Sequence, residues 1–158
     1  MFLRQNWSVQ RRMPIFRKGI EQDIKQIAEL EKKTFSDAWT AKSVQDTLEQ
    51  KQAFITVAED NGKVVGYCII YYVMDEAEIA RIAICDTVRR NGIGNGLLQY
   101  TCECCRERGV ARLLLDVRES NVGAIAFYKH FGFQKDGMRK SFYEMPKEDA
   151  VLMSMSLK

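Results

Sequence analysis

Histidine is almost missing from this 158-residue chain: His130 is the only one. A zinc site wants histidines or paired C-x-x-C spacings, and the five cysteines, with Cys102, Cys104 and Cys105 crowded on one predicted helix, have a single histidine to join them. No metal is therefore expected, and a cysteine nucleophile would have little choice of basic partner. The thiols read as buried and reduced in a cytoplasmic protein. No apolar run is long enough to span a bilayer and nothing resembles a signal peptide, so no membrane role is expected. A dominant charge is missing too. The 24 Lys+Arg stand against 21 Asp+Glu, a formal net charge of +3, which marks no basic face for nucleic acid. Acidic residues are wanting in one place: none precedes Glu21, whereas Arg4, Arg11, Arg12, Arg17 and Lys18 all fall there. Residues 1–13 read as a disordered basic leader, with Met13-Pro14 permitting an alternative start, and residues 14–158 as a single domain without repeats or linkers.

What is present is strong periodicity. Ile20, Ile24, Ile27 and Leu30 recur at three- and four-residue steps, which predicts a helix from Glu21 to Phe35. Thr40 offers an N-cap for a second helix over "AKSVQDTLEQ", with Trp39 as its apolar staple. Asn61-Gly62 between "AFITVAED" and "KVVGYCIIYYVM" supplies the positive φ angles of a tight hairpin turn. After an acidic turn from Asp75 to Glu78 comes a third strand, "EIARIAI". Next follow a helix over 95–108 ended by Gly109, and the unalternating apolar strand "ARLLLDV". Strand, helix and strand within about thirty residues form a βαβ unit with parallel strands. Ser120 or Asn121 caps a helix through "AIAFYKHF" stopped by Gly132, and two strands, from Phe133 to Gly137 and from Ala150 to Leu157, finish the chain. The fold class is α+β with a mixed sheet.

The segment "RRNGIGNG", Arg89 to Gly96, lies between a strand and a helix. A glycine-rich turn that opens a helix exposes backbone N–H groups at the positive end of the helix dipole, and the two arginines add charge, so a phosphate is the natural guest. A Walker loop would end Gly-Lys-Ser/Thr, and this one ends Gly94-Asn95-Gly96. A dinucleotide fingerprint fits Gly92 and Gly94 and could use Asp116, but its third glycine falls on Leu97 and only one βαβ unit exists.

The pattern Arg89-Arg90-Asn91-Gly92-Ile93-Gly94, with "DVRESNVGAIAFYKHFGF" from Asp116 to Phe133, resembles the GNAT N-acetyltransferase family over about Ile15 to the C-terminus. "FSDAWT" (Phe35 to Thr40) and "EDAVLM" (Glu148 to Met153) are similar to its ribosomal-protein-alanine branch. The resemblance implies a three-layer fold: a mostly antiparallel mixed sheet, one splayed parallel pair, and helices on both faces. It implies acetyl-CoA as acyl donor, the pantetheine arm against the backbone of Ile82, Ala83 and Ile84, and the pyrophosphate cupped by Arg89, Arg90, Asn91, Gly92, Ile93, Gly94 and Asn95.

Asn121 and Tyr128, seven residues apart on one helix, share a face about 10 Å apart along the axis, so they could follow an extended cofactor arm. Helix capping is an equal claim on Asn121. Tyr128 matches the family's place for a phenol that assists the departing thiolate, although packing beside Phe127 and Phe131 would also occupy it. Asp116 stands where the branch carries a glutamate general base and is one methylene shorter, and a strand-end contact to Arg118 or a backbone amide competes with that role. The implied function is direct acetyl transfer to a protein N-terminal α-amine, with an alanine-starting ribosomal protein as partner. Lysine or small-amine acetylation and a non-catalytic CoA-binding module are the alternatives. The acidic residues Asp75, Glu76 and Glu78 would suit any cationic acceptor.

Overall fold

The computed structural model describes residues 14–88 and 92–158. Seven strands form one sheet: β1 (Ile15–Lys18), β2 (Ala53–Asp60), β3 (Lys63–Val73), β4 (Glu76–Ile84), β5 (Arg112–Arg118), β6 (Gln134–Glu144) and β7 (Lys147–Ser156), in the order β1-β2-β3-β4-β5-β7-β6. Four α-helices cover it: α1 (Ile24–Thr34), α2 (Ala41–Leu48), α3 (Ile93–Glu107) and α4 (Val122–Phe131). Every strand pair is antiparallel except β4 with β5. This is the mixed three-layer arrangement expected. Among the described residues no helix is long and apolar enough to cross a membrane.

Local chemistry explains most boundaries. Asn61 and Gly62 adopt φ of 52° and 78°, the left-handed pair of a two-residue hairpin turn. The Thr40 hydroxyl accepts the Ser43 N–H at 3.1 Å and starts α2, and Asn121 Oδ1 accepts the Ala124 N–H at 3.1 Å and starts α4. Helix α1 begins later than the periodicity predicts. Asp23 draws the Ile20 N–H and the Arg17 guanidinium to its carboxylate, so Ile20 is extended, lies ahead of the helix and is half exposed. The acidic turn is shorter than expected, because Glu76 and Glu78 already belong to β4. The C-terminal hairpin is longer than expected: β6 runs eleven residues, nearly all exposed, as an edge strand.

The sheet separates two cores. On one side α3 and α4 pack Leu97, Leu98, Cys102, Cys105 and Tyr128 against Cys68, Ile70, Leu113, Leu115 and Met153. On the other, α1 and α2 pack Ile27, Leu30 and Val44 against Ile55, Val57, Tyr67 and Ile69. Burying one such aliphatic side chain contributes about 1.5 to 3 kcal/mol, so either layer would be lost without its helices. None of the five cysteines is in a disulfide, and burial raises the Cys102 and Cys105 thiols to about 11 and about 12, as suits inert packing residues.

Strand β4 contributes to both cores through one irregularity. Arg81 pairs with Ile69 and Ile79 with Ile70, which leaves Ala80 as a bulge. Before it, Ala77 and Ile79 face α3 and α4; beyond it, Ile82 and Ile84 do, while Arg81 and Ala83 turn to α1.

Candidate active site

The parallel ladder between β4 and β5 has four rungs, Glu76 with Arg112 through Ile79 with Leu115. Beyond them β4 continues along β3 to Ile84 and β5 continues along β7 to Arg118, and no further rung joins the two among the described residues. Two strands that share a sheet and then part leave a slot between backbones, suited to an extended ligand arm that pairs like a strand. Ile82, Ala83 and Ile84 lie along its β4 wall.

On the α3/α4 side, the slot leads to the N-terminus of α3. Gly92 precedes the helix with φ of 77°, and no side chain caps this end, unlike α2 and α4. The first turn of this fifteen-residue helix carries N–H groups with the helix dipole behind them, the arrangement that favours negative charge. Ile93, Gly94 and Asn95, expected in the loop, form that first turn. The glycines divide by role. Gly92 needs its positive φ, and a Cβ on Gly96 would drive into the Phe16 ring. A Cβ on Gly94 would meet Phe127 and Ile84 only at ordinary contact distances, 3.5 and 3.6 Å. The packing around it therefore does not require glycine at position 94. Arg89, Arg90 and Asn91 lie outside the described residues.

Tyr128 stands on the same side, its ring edge-on to Phe127 and Phe133 at 5.5 and 5.6 Å. The residue is 7% exposed, yet its hydroxyl makes no hydrogen bond among the described residues and is not sealed from solvent. A phenol packed by its ring and open at its tip can donate to whatever enters the slot. Burial raises its pKa, with buried Cys68 and Tyr143 adding to the effect, so it stays protonated at neutral pH. Asn121 is the N-cap of α4, which fulfils the capping claim made for it.

The α1/α2 side is charged. Asp116 points there, because Leu113, Leu115 and Val117 take the alternate direction into the opposite core. None of the hydrogen bonds or ion pairs among the described residues falls on its carboxylate. The contact expected from Arg118 goes elsewhere, to the Pro146 and Met145 carbonyls and to Glu148. Burial lifts the Asp116 pKa, and Arg139 opposes the shift. Glu78, at the third rung and on the same face, is lifted by burial and then by the charge of Asp116, with Arg139 again opposing. Of the acidic cluster Asp75, Glu76 and Glu78, only Glu78 stands beside Asp116. Glu76 reaches toward Arg112 at 3.8 Å.

Sequence reasoning missed two residues on this side. Tyr143 stacks under the Arg118 guanidinium, whose carbon is 4.3 Å from the ring centroid. Burial, then Asp116, pushes the Tyr143 pKa up to about 12, so it too remains a donor. Arg81 crosses from β4 to the α1–α2 connection. Both lie far in sequence from their partners, and only the glycine turn and its flanking strand and helix announced themselves locally.

Comparison with known proteins gives four concordant results. The family model for the acetyltransferase (GNAT) family matches residues 24–133. A Bacillus subtilis (strain 168) protein, provisionally named a ribosomal protein bS18-alanine N-acetyltransferase, is 39% identical over 137 residues, covering 86% of this chain and 91% of the relative. The Escherichia coli (strain K12) ribosomal protein bS18-alanine N-acetyltransferase is 31% identical over 130 residues, covering 81% and 87%. The crystal structure of the ribosomal-protein-S18-alanine N-acetyltransferase from Escherichia coli superposes with a TM-score of 0.84 at 28% identity, over 92% of this chain and 95% of that one.

Proposed function

The chain belongs to the GNAT family of acetyltransferases, and from that premise we propose that it moves acetyl from acetyl-CoA to the N-terminal α-amine of an alanine-starting ribosomal protein. The observation that carries the chemistry is the parting of β4 and β5, with a phenol on one face of the slot and, on the other, a carboxylate unpaired among the described residues. The pantetheine arm would lie along Ile82, Ala83 and Ile84, with the pyrophosphate at the α3 N-terminus, held by Gly92, Ile93, Gly94 and Asn95 and by Arg89, Arg90 and Asn91. The thioester then sits at the split. The amine attacks from the Asp116 side and the thiolate leaves on the Tyr128 side.

Two groups on opposite faces give the base and the acid separate places. A free α-amine ordinarily titrates at about 7.7 to 8.0, against about 10.4 for a lysine, so much of it is already unprotonated near pH 8. Asp116 has only the last proton to take, directly or through a water, and its raised pKa makes its carboxylate a stronger base than an exposed one. Tyr128 donates toward the departing sulfur. The substrate class comes from the relatives' names, and the reading puts the enzyme in the cytoplasm.

The test compares two acceptors: an alanine-starting basic peptide, and the same peptide with its α-amine blocked and its lysines free. The first is acetylated and the second is not, or only slowly. Equal rates would transfer the function to lysine or small amines, and no turnover with any amine beside intact CoA binding would leave a CoA-binding module.

A further inference from the structure

Arg81 is the residue after the β4 bulge, and almost everything it touches belongs to α1 or to the connection between α1 and α2. Its Nε donates to Glu31 Oε1 at 3.1 Å and its Nη2 to Glu31 Oε2 at 2.6 Å. Nη2 also lies 3.5 Å from both the carbonyl and the carboxylate of Asp37. The guanidinium carbon is 4.0 Å from the Phe35 ring centroid and 5.6 Å from that of Trp39. Glu31 is fully buried, and its remaining capacity is filled by the Tyr67 hydroxyl and by the Trp39 N–H at 3.0 Å. The segment Phe35 to Thr40 is thus clamped to the sheet by one cation held in a bidentate pair. At its far side Ser36 Oγ donates to the Met145 carbonyl at 3.0 Å, in the turn between β6 and β7. Arg118, on the facing strand of the split, holds that same turn through Met145 and Pro146.

Each diverging strand therefore carries one arginine that holds one segment, and the two segments meet beside the face that bears Asp116 and Tyr143. We infer that Arg81 is a positioning residue for the acceptor: by fixing Phe35 to Thr40 against β4 it sets the width of the opening through which the amine reaches Asp116. This rests on the proposed direction of attack. A buried carboxylate with three kinds of donor is a costly way to fasten a loop when apolar packing would do, and its return is directional: planar, forked bonds fix where the segment sits. The acetyl-CoA slot, whose walls are held by β3, β7 and the opposite core, does not depend on this clamp.

Two variants and two readouts test the inference. Arg81→Lys keeps a charge beside Glu31 but loses the fork and the ring stacking. Arg81→Met combined with Glu31→Gln removes both charges together, so neither variant leaves a lone buried ion. In each, hydrogen exchange of the Trp39 amide and its neighbours in 35–40 should quicken, while exchange in α3 and β5 stays as in the parent. The KM for the peptide acceptor should rise about tenfold, with kcat and the KM for acetyl-CoA within about twofold, the signature of lost acceptor binding rather than lost chemistry. Unchanged exchange in 35–40, or equal losses in kcat and in acetyl-CoA affinity, would overturn the inference. If the parent enzyme fails to acetylate the peptide, the functional reading falls, while the exchange data still decide whether Arg81 holds the segment.

Discussion

The two faces of the sheet are built by different means. Under α3 and α4 the packing is apolar, and its one buried polar pair among the described residues is Thr56 with Thr101, two hydroxyls at 2.7 Å. Under α1 and α2 two carboxylates are buried, Glu31 with Arg81 and Asp23 with Arg17. Apolar packing is non-directional and yields a stiff wall, which suits a slot for a long, largely uncharged arm. Ion pairs are directional and fix loops at chosen angles, which suits a side where a variable protein chain must be met. The difference teaches where tolerance should lie. Substitutions that touch the slot from the first face should act on the donor and on the leaving group, and those in the ion pairs of the second on stability and on the acceptor.

The sharpest way to test that division is Tyr128→Phe. The ring contacts with Phe127 and Phe133 survive and only the hydroxyl goes, so turnover should fall by about 100-fold to 10,000-fold while the affinity for CoA barely moves. Single-turnover rates beside CoA titrations check this, and full activity would make Tyr128 a packing residue. Next in size is Glu31→Ala on the opposite face. It leaves Arg81 and the Tyr67 hydroxyl without their acceptor, and breaking a buried pair from one side costs about 3 to 5 kcal/mol, to be read from urea unfolding.

Gly94→Val should weaken CoA binding about tenfold, a loss of about 1.4 kcal/mol, without unfolding the protein, because the added Cβ finds ordinary contacts. The same change at Gly96 should damage the fold first, since Phe16 stands in the way. Calorimetry and thermal melts on the two variants separate the cases. The smallest effect is expected from Arg139→Gln. Its cation lowers the pKa of both Glu78 and Asp116, so removing it raises them, keeps the base protonated to higher pH, and moves the acidic limb of kcat upward by a fraction of a unit. Arg139 is exposed, so the shift should shrink as salt is added.

Features that depend on neighbours in sequence were legible from the sequence. The Asn61-Gly62 turn, the Thr40 and Asn121 caps, the βαβ unit and the glycine turn each declare themselves within a few residues. The family resemblance placed Asp116 and Tyr128, and the structure puts them on opposite faces of the same split. Strand β1 escaped notice because four residues in a basic stretch carry no periodicity, and they are strand only because β2 pairs with them. Strand β6 escaped for most of its length because an edge strand exposed on both sides needs no alternation. The Arg81 clamp joins residues fifty positions apart, and no local rule reports such a pair. Tyr143 was hidden for the same reason: its neighbours Asp37, Arg81, Asp116 and Arg118 come from three separate elements.

A strand keeps time in twos, and the bulge at Ala80 inserts an extra beat. Everything in β4 before it and everything after it are therefore counted in opposite phase. With the beat in place, Glu78 and Arg81, three positions apart, sound on the same face, where a regular strand would send them to opposite faces. Pairing Ala80 as an ordinary rung would keep each residue's chemistry while exchanging the faces of one half of the strand against the other, sending either Arg81 into the apolar core or Glu78 away from Asp116. One alanine thus acts as a phase marker for the whole site, and an alignment or redesign that slips a single position here would retain every side chain and misdirect half of them.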